Sequence, residues 1–215
     1  MITQEIFTAL RREYAMMALD ENSVTLQPTD QFHIWFQNAI EAEVPECSAM
    51  VLSTCGHQGQ PSSRVVLLKE YNANGFIFYT NYNSRKGIEI GENSDVALLF
   101  FWKELERQIR IEGIAEKISP LHSEEYFHSR PRESQIGALA SNQSSVIENR
   151  AVLEKKYNEI ERRYSEIEIP APIHWGGYIV RQSRMEFWQG RKNRLHDRIC
   201  YKKIDTEWNI ERLSP

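Results

Sequence analysis

Arg194, His196 and Arg198 lie two residues apart in the stretch Gln189-Gly-Arg-Lys-Asn-Arg-Leu-His-Asp-Arg198, directly after Phe187-Trp188. In a strand, alternate side chains share a face, so this spacing would gather three cationic or cationisable groups on one side. Such a face resists burial, because a buried charge needs a partner. Two readings stay open: a solvated strand edge, or an aromatic floor beside converging cations that suits a planar ligand carrying an anion.

Three further clusters carry the same chemistry. In Arg64-Val-Val-Leu-Leu-Lys69, regular strand geometry sends Arg64 and Lys69 to opposite faces unless a bulge intervenes, and a plain surface strand is the alternative. Tyr79-Thr80-Asn-Tyr-Asn-Ser84-Arg85-Lys86 leads into a predicted helix, with Asn83 or Ser84 as N-cap. Free N–H groups and the positive dipole end make such a terminus a phosphate site. Arg85 and Lys86 oppose the dipole there, which points to a bound anion; a solvated first turn is the alternative. In Tyr126-Phe-His-Ser-Arg130-Pro-Arg-Glu-Ser134, Tyr126 and Arg130 share a helical face. Pro131 should end that helix, so Ser134 reaches the same place only through the turn. Arg130 could equally compensate a helix dipole. Together these clusters suit two phosphorylated ring compounds better than a polymer.

The chain lacks G-x-G-x-x-G, Walker, H-E-x-x-H and G-x-S-x-G sequences, and its six histidines have no metal-ligand spacing. No metal is expected. At 215 residues, 41% hydrophobic and net charge −4, it reads as one large domain with no global field for nucleic acid. Cys47, Cys55 and Cys200 fit neither a zinc pattern nor a disulfide framework, which favours a reducing cytosol. The polar start and the absence of a long apolar run point to a cytoplasmic protein without a membrane span.

The elements follow from periodicity and turn residues. Residues 1–28 read as an arm, helical through Met17, ahead of the main domain over 29–215. Phe32, Trp35, Phe36, Ala39 and Ile40 form an amphipathic helical stripe. Strands are expected over 49–54, 63–69, 76–80, 95–102, 106–118, 174–181, 185–189, 195–202 and 208–213, with turns at 56–61 and 72–75. Ser119-Pro120 should start a helix. The polar segment 129–145 leads to a charged helix over 146–164 that ends at Pro170-Ala-Pro172. Without a βαβ rhythm, the economical architecture is mostly β with peripheral helices (α+β), an antiparallel barrel.

Several motifs, in order, carry a resemblance: Ser63-Arg-Val-Val-Leu-Leu-Lys69, Phe78-Tyr-Thr-Asn81, Ser84-Arg-Lys86, Leu105-Glu-Arg-Gln108, Tyr126-Phe-His-Ser-Arg-Pro-Arg132, Ser134-Gln-Ile-Gly-Ala138, Gln143-Ser-Ser145, and Glu186-Phe-Trp-Gln-Gly190 with Arg194-Leu-His-Asp-Arg198. The chain closely resembles the pyridoxine/pyridoxamine 5′-phosphate oxidase family from about Leu10 to its C-terminus. The resemblance implies an FMN-binding split β-barrel and a homodimer with FMN at the subunit interface. It implies oxidation of pyridoxine 5′-phosphate and pyridoxamine 5′-phosphate to pyridoxal 5′-phosphate by hydride transfer from C4′ to FMN. Reoxidation by O2 would give H2O2, with ammonia released from the amine.

Carried over residue by residue, it assigns FMN contacts to Arg64, Val65, Val66, Leu67, Leu68, Lys69, Tyr79, Thr80, Arg85, Lys86, Gln143 and Ser144, with Gln108, Trp188 and Arg198 completing the flavin pocket. Lys69, Tyr126, Arg130 and Ser134 would hold the substrate phosphate. Arg194 and His196 would act at the reacting carbon, and Arg11 and Tyr14 would form an N-terminal lid. The departure is Arg191-Lys192-Asn193, which adds positive charge before Arg194. A split-barrel reductase using a nicotinamide or deazaflavin donor is the nearest rival; it leaves the Lys69/Tyr126/Arg130/Ser134 set without a ligand.

Overall fold

Alternating and continuous apolar runs produce nine strands among the described residues of the computed structural model, which are Tyr14 and residues 17–215. The strands are β1 (Ala49–Cys55), β2 (Pro61–Leu67), β3 (Glu70–Asn72), β4 (Gly75–Asn81), β5 (Asp95–Trp102), β6 (Arg107–Lys117), β7 (Trp175–Gln189), β8 (Asp197–Ile204) and β9 (Glu207–Arg212). Five α-helices accompany them: α1 (Pro28–Glu41), α2 (Arg85–Glu92), α3 (Pro120–Ser129), α4 (Arg132–Ala140) and α5 (Arg150–Arg163). Hydrogen bonding orders the sheet β2-β1-β5-β6-β7-β4-β3, with β8 pairing β7 and β9 pairing β8. The helical stretch expected through Met17 lies outside the described residues except at its Tyr14 and Met17 positions. No described helix is long and apolar enough to cross a membrane.

The chain divides into two compact units, and β5, β6 and β7 contribute residues to each. Among the described residues, one unit takes those up to Ser48 together with Leu99–Ile111 and Ser183–Pro215. Here Pro28 starts α1, where its missing N–H costs nothing. The helix buries Phe32, Trp35 and Ala39, and Phe32 meets Phe100 at 5.2 Å while Trp35 meets Phe187 at 5.2 Å. The predicted stripe is narrower than expected at its edge: Phe36 stacks on Phe32, but Ile40 stays exposed. Tyr201 closes this core against Phe187 at 5.6 Å and donates its hydroxyl to the Thr25 carbonyl.

The second unit comprises Ala49–Leu98 and Glu112–Gln182. Its β1–β2 hairpin pairs Cys55 with Pro61 and Leu52 with Arg64 around a turn in which Gly59 takes a left-handed backbone. The β3–β4 hairpin turns between Asn72 and Gly75. A satellite core of Phe127, Ile136 and Ile169, joined by Tyr157, Ile160 and Tyr164, fastens α3, α4 and α5 together.

Four boundaries differ from the sequence expectation for physical reasons. The two strands expected over 174–181 and 185–189 are one 15-residue strand, β7, whose first half pairs β4 and whose second half pairs β8. The segment 129–145, read from the sequence only as polar, contains α4, because Ile136 and Ala140 supply an (i, i+4) pair of buried apolar residues. β2 ends at Leu67 rather than Lys69, and the Lys69 N–H bonds instead to the Ile77 carbonyl. β8 begins at Asp197, so Arg194, His196 and Arg198 do not share one strand face: Asn193 and Arg194 both have left-handed backbones, with φ of 57° and 61°.

Backbones come close where Gly113 of β6 passes Arg181 of β7. A Cβ placed on Gly113 would overlap the Arg181 carbonyl oxygen, whereas one on Gly91 meets open space. Gly113→Ala should therefore cost about 2–3 kcal/mol, read as a lower urea midpoint, while Gly91→Ala should leave the midpoint unchanged or raise it.

Candidate active site

A cavity of about 870 Å³ opens in the second unit, lined by the end of β2, β4, the first turn of α2, the α3–α4 junction and the loop after α4. Its first cationic end is built on one carboxylate. Glu89, on α2, accepts from Thr54 and Ser62 at 2.5 Å each, from Arg64 at 3.1 Å and from Arg85 at 2.8 Å. Burial alone would raise the Glu89 pKa, but these hydroxyls and guanidinium groups overcome it and draw the value down to about 2. Arg64 is fixed further by the Leu52 carbonyl and the Thr54 and Ser62 hydroxyls.

Lys86 is the residue left over. Ser84 caps α2, as expected, and Lys86 in the first turn is only 8% exposed. Among the described residues its Nζ meets neutral oxygens: Thr80 Oγ1 at 3.1 Å, Ser84 Oγ at 3.3 Å and Gln143 Oε1 at 3.3 Å. Burial, and then the charge of Arg64, lowers its pKa. A buried ammonium held by neutral acceptors beside a second cation is half of an ion pair, and an anion completes it. Gln143 and Ser144 reach this end from a loop in which Ser144 has a left-handed backbone.

The other end is aromatic and cationic. Tyr79 and Tyr126 stack at 3.7 Å, and Trp175 lies nearly parallel to both at 5.5 and 6.2 Å. Burial, then the nearby Glu70 carboxylate, pushes the Tyr79 hydroxyl up to about 12, and burial raises Tyr126 as well, so both are neutral donors. Arg130 lies over the Trp175 ring at 4.5 Å. Its Nη2 donates to the Ser134 carbonyl at 3.0 Å, while its Nη1 is buried without a hydrogen-bond partner among the described residues. A buried guanidinium nitrogen left open toward a cavity is what a phosphate oxygen would satisfy. Lys69 and Ser134 line the same space. Arg64 and Lys69, expected on opposite strand faces, both line the cavity because β2 stops between them. Val65, Val66 and Leu67 also line it; Leu68 is buried and does not.

The remaining expected site residues lie in the other unit. Trp188 and His196 stand 4.6 Å apart, and the Tyr14 ring is 5.8 Å from Trp188 and 6.0 Å from His196. His196 Nδ1 accepts from the Arg191 backbone N–H at 3.1 Å, which places the proton of the neutral ring on Nε2. Burial, then Arg194, lowers its pKa, which favours the neutral ring that this hydrogen bond requires. Arg198 makes a two-pronged bond to Glu186, at 2.9 and 3.1 Å, which raises its pKa. Arg194 is exposed, Gln108 is half-buried on β6, and Arg11 lies outside the described residues.

Sequence reasoning missed Glu89, Trp175 and Glu186 as organisers. Glu89 was detectable as the (i, i+4) partner of Arg85, and Glu186 as the acid inside the final motif. No spacing pointed to Trp175.

Glu89→Gln tests the first organiser. Its carboxylate binds a proton less readily folded than unfolded, so its stabilisation is complete above the unfolded value of 4.5 and is lost as pH falls toward about 2. The variant should lose about 1–3 kcal/mol at neutral pH. The wild-type and variant urea midpoints should converge as the pH is lowered through that window.

Comparison with known proteins gives one answer from sequence and from structure. The family model described as "Pyridoxamine 5′-phosphate oxidase" matches residues 36–164, and that described as "Pyridoxine 5′-phosphate oxidase C-terminal dimerisation region" matches 175–215. Proteins named pyridoxine/pyridoxamine 5′-phosphate oxidase from Acaryochloris marina and Salinibacter ruber are each 51% identical, covering 99% and 96% of this chain and 97% of each relative. A crystal structure of PhzG from Burkholderia lata, in complex with tetrahydrophenazine-1-carboxylic acid, superposes with a TM-score of 0.89 at 27% identity, covering 95% of this chain and 100% of that one. A pyridoxamine 5′-phosphate oxidase-related, FMN binding protein from Nostoc punctiforme shares the fold, with a TM-score of 0.71 at 15% identity over 89% of this chain and 99% of its own. The fold is the antiparallel split β-barrel, and the chain belongs to the pyridoxamine 5′-phosphate oxidase family.

Proposed function

We propose that this protein is an FMN-dependent oxidase that converts pyridoxine 5′-phosphate and pyridoxamine 5′-phosphate to pyridoxal 5′-phosphate in vitamin B6 synthesis and salvage. The observation that carries the reading is one cavity with two cationic positions that lack an anionic partner among the described residues: Lys86, held by neutral oxygens at one end, and Arg130 Nη1, buried without a hydrogen bond at the other. Cofactor and substrate each bring one phosphate.

The residues fit FMN. Arg64, Arg85, Lys86 and Ser144 would hold its phosphate and ribityl chain, with Thr80 and Gln143 as neutral partners that already orient Lys86. Val65, Val66, Leu67, Leu68, Lys69, Tyr79, Gln108, Trp188 and Arg198 complete our assignment of the flavin pocket. When bound, FMN supplies the two-electron acceptor for the substrate's C4′ hydride and passes the electrons to O2.

Tyr126, Arg130, Ser134 and Lys69 hold the substrate phosphate as a handle. Fixing that remote group supplies orientation at the reacting carbon. The Tyr79, Tyr126 and Trp175 rings give the cavity an apolar wall that excludes water beside the charged group. His196 offers an Nε2–H donor and Arg194 adds fixed positive charge, and we assign both to the substrate ring, with Arg11 and Tyr14 as further substrate contacts. The match of 175–215 to a dimerisation region supports a homodimer, and we place FMN at its interface. Three free cysteines support a reducing, cytoplasmic setting.

Aerobic incubation of the FMN-loaded protein with pyridoxamine 5′-phosphate should yield pyridoxal 5′-phosphate and peroxide together; a yellow protein that makes neither would overturn the oxidase reading. Arg130→Ala should lower kcat/KM about 10–100-fold, as expected for one charged hydrogen-bonding partner, with flavin content unchanged. Lys86→Met should instead release flavin on dialysis. Arg194→Ala and His196→Ala should lose turnover far more than flavin, and equal loss of both would remove them from the reacting end.

A further inference from the structure

Arg191, which adds charge to the cationic run, touches both the arm and His196. Its Nη1 donates to the Met17 carbonyl at 2.9 Å, its Nε lies 3.5 Å from Asp197 Oδ2, and its backbone N–H holds His196 Nδ1. The Asp197 carboxylate also accepts from the Leu19 N–H at 3.1 Å and from Arg212 Nη1 at 2.9 Å. Arg212 in turn donates to the Leu19 carbonyl at 3.0 Å and pairs with Glu21. The segment 17–21 is thus gripped largely by its backbone groups. Just upstream, Tyr14 packs so closely on Gly190 that a Cβ there would lie 2.8 Å from the Tyr14 Cβ. Arg212 touches the arm but not His196. Arg191 touches both.

We propose that Arg191 is a positioning residue that fixes the 17–19 segment and the His196 ring relative to one another, and so keeps Tyr14 against the His196–Trp188 pair. The inference rests on the oxidase reading for its effect on substrate, though not for its effect on the arm. Two-point contact is what a guanidinium fork provides: Nη1 to a carbonyl and Nε toward a carboxylate. A lysine keeps the charge but has one nitrogen for both.

The test uses the FMN-loaded full chain with Arg191→Ala and Arg191→Lys. Two readouts are taken: the rate of chymotryptic cleavage after Tyr14, and KM against kcat for pyridoxamine 5′-phosphate. Arg191 is partly exposed, so the effect is screened; Arg191→Ala should raise the cleavage rate and KM about five- to tenfold, with kcat and flavin content held. Arg191→Lys should fall between wild type and Arg191→Ala. Wild-type cleavage and KM in Arg191→Ala would overturn the proposal, as would full rescue by lysine, since charge alone would then suffice. If Arg191→Ala does not fold, Arg191→Lys decides by the same two readouts. Absence of turnover in the wild type would sink the oxidase reading while leaving the cleavage comparison to judge Arg191.

Discussion

The cationic end of the cavity depends on the Glu89 carboxylate. Two hydroxyls and two guanidinium groups converge on it from β1, β2 and α2, and without it Arg64 and Arg85 would repel one another and turn to solvent. The arrangement neutralises one positive charge of three and leaves Lys86 outside the exchange, desolvated and held by neutral oxygens. A fully neutralised cluster would be more stable and would bind nothing. Binding capacity here is the uncompensated remainder of a charge balance.

The same device recurs in the other unit with different geometry. Glu186, only 3% exposed, lies 2.9 Å from Arg198, 3.4 Å from Arg110 and 3.9 Å from Arg184. Trp188 and Arg198 are directly opposite in the β7–β8 register, so the Arg198–Glu186 bond runs diagonally along the ladder. In both units a single acid orients arginines whose combined charge exceeds its own.

Much of this was written in local sequence. The α1 stripe apart from Ile40, the Ser84 and Ser119 caps and the limits of β5 follow from periodicity and capping chemistry, and the structure keeps them. The clusters at 64–69, 79–86 and 126–134 were identifiable by type, and the cavity gathers them. Tertiary context decided the rest. Arg194-Leu-His-Asp-Arg198 alternates as a strand would, yet left-handed residues at Asn193 and Arg194 break it, and nothing in the alternation signals that. Helix α4 hides in a polar segment because its helical signal is one buried pair, Ile136 and Ala140. Trp175 joins the Tyr79–Tyr126 stack through the β4–β7 pairing, in which Asn81 meets Trp175 and Tyr79 meets Gly177. That register spans about a hundred residues, beyond the reach of any local pattern.

Pro131 shows what such a backbone constraint does for recognition. It holds Arg130 in extended conformation, at φ −75° and ψ 153°, between α3 and α4. The guanidinium therefore emerges at a fixed kink rather than along either helix. Loss of freedom at this point is charged to folding, when the unfolded chain gives up the conformers a proline already restricts. A phosphate arriving later meets an arginine with little backbone entropy left to lose, and more of each hydrogen bond appears as affinity.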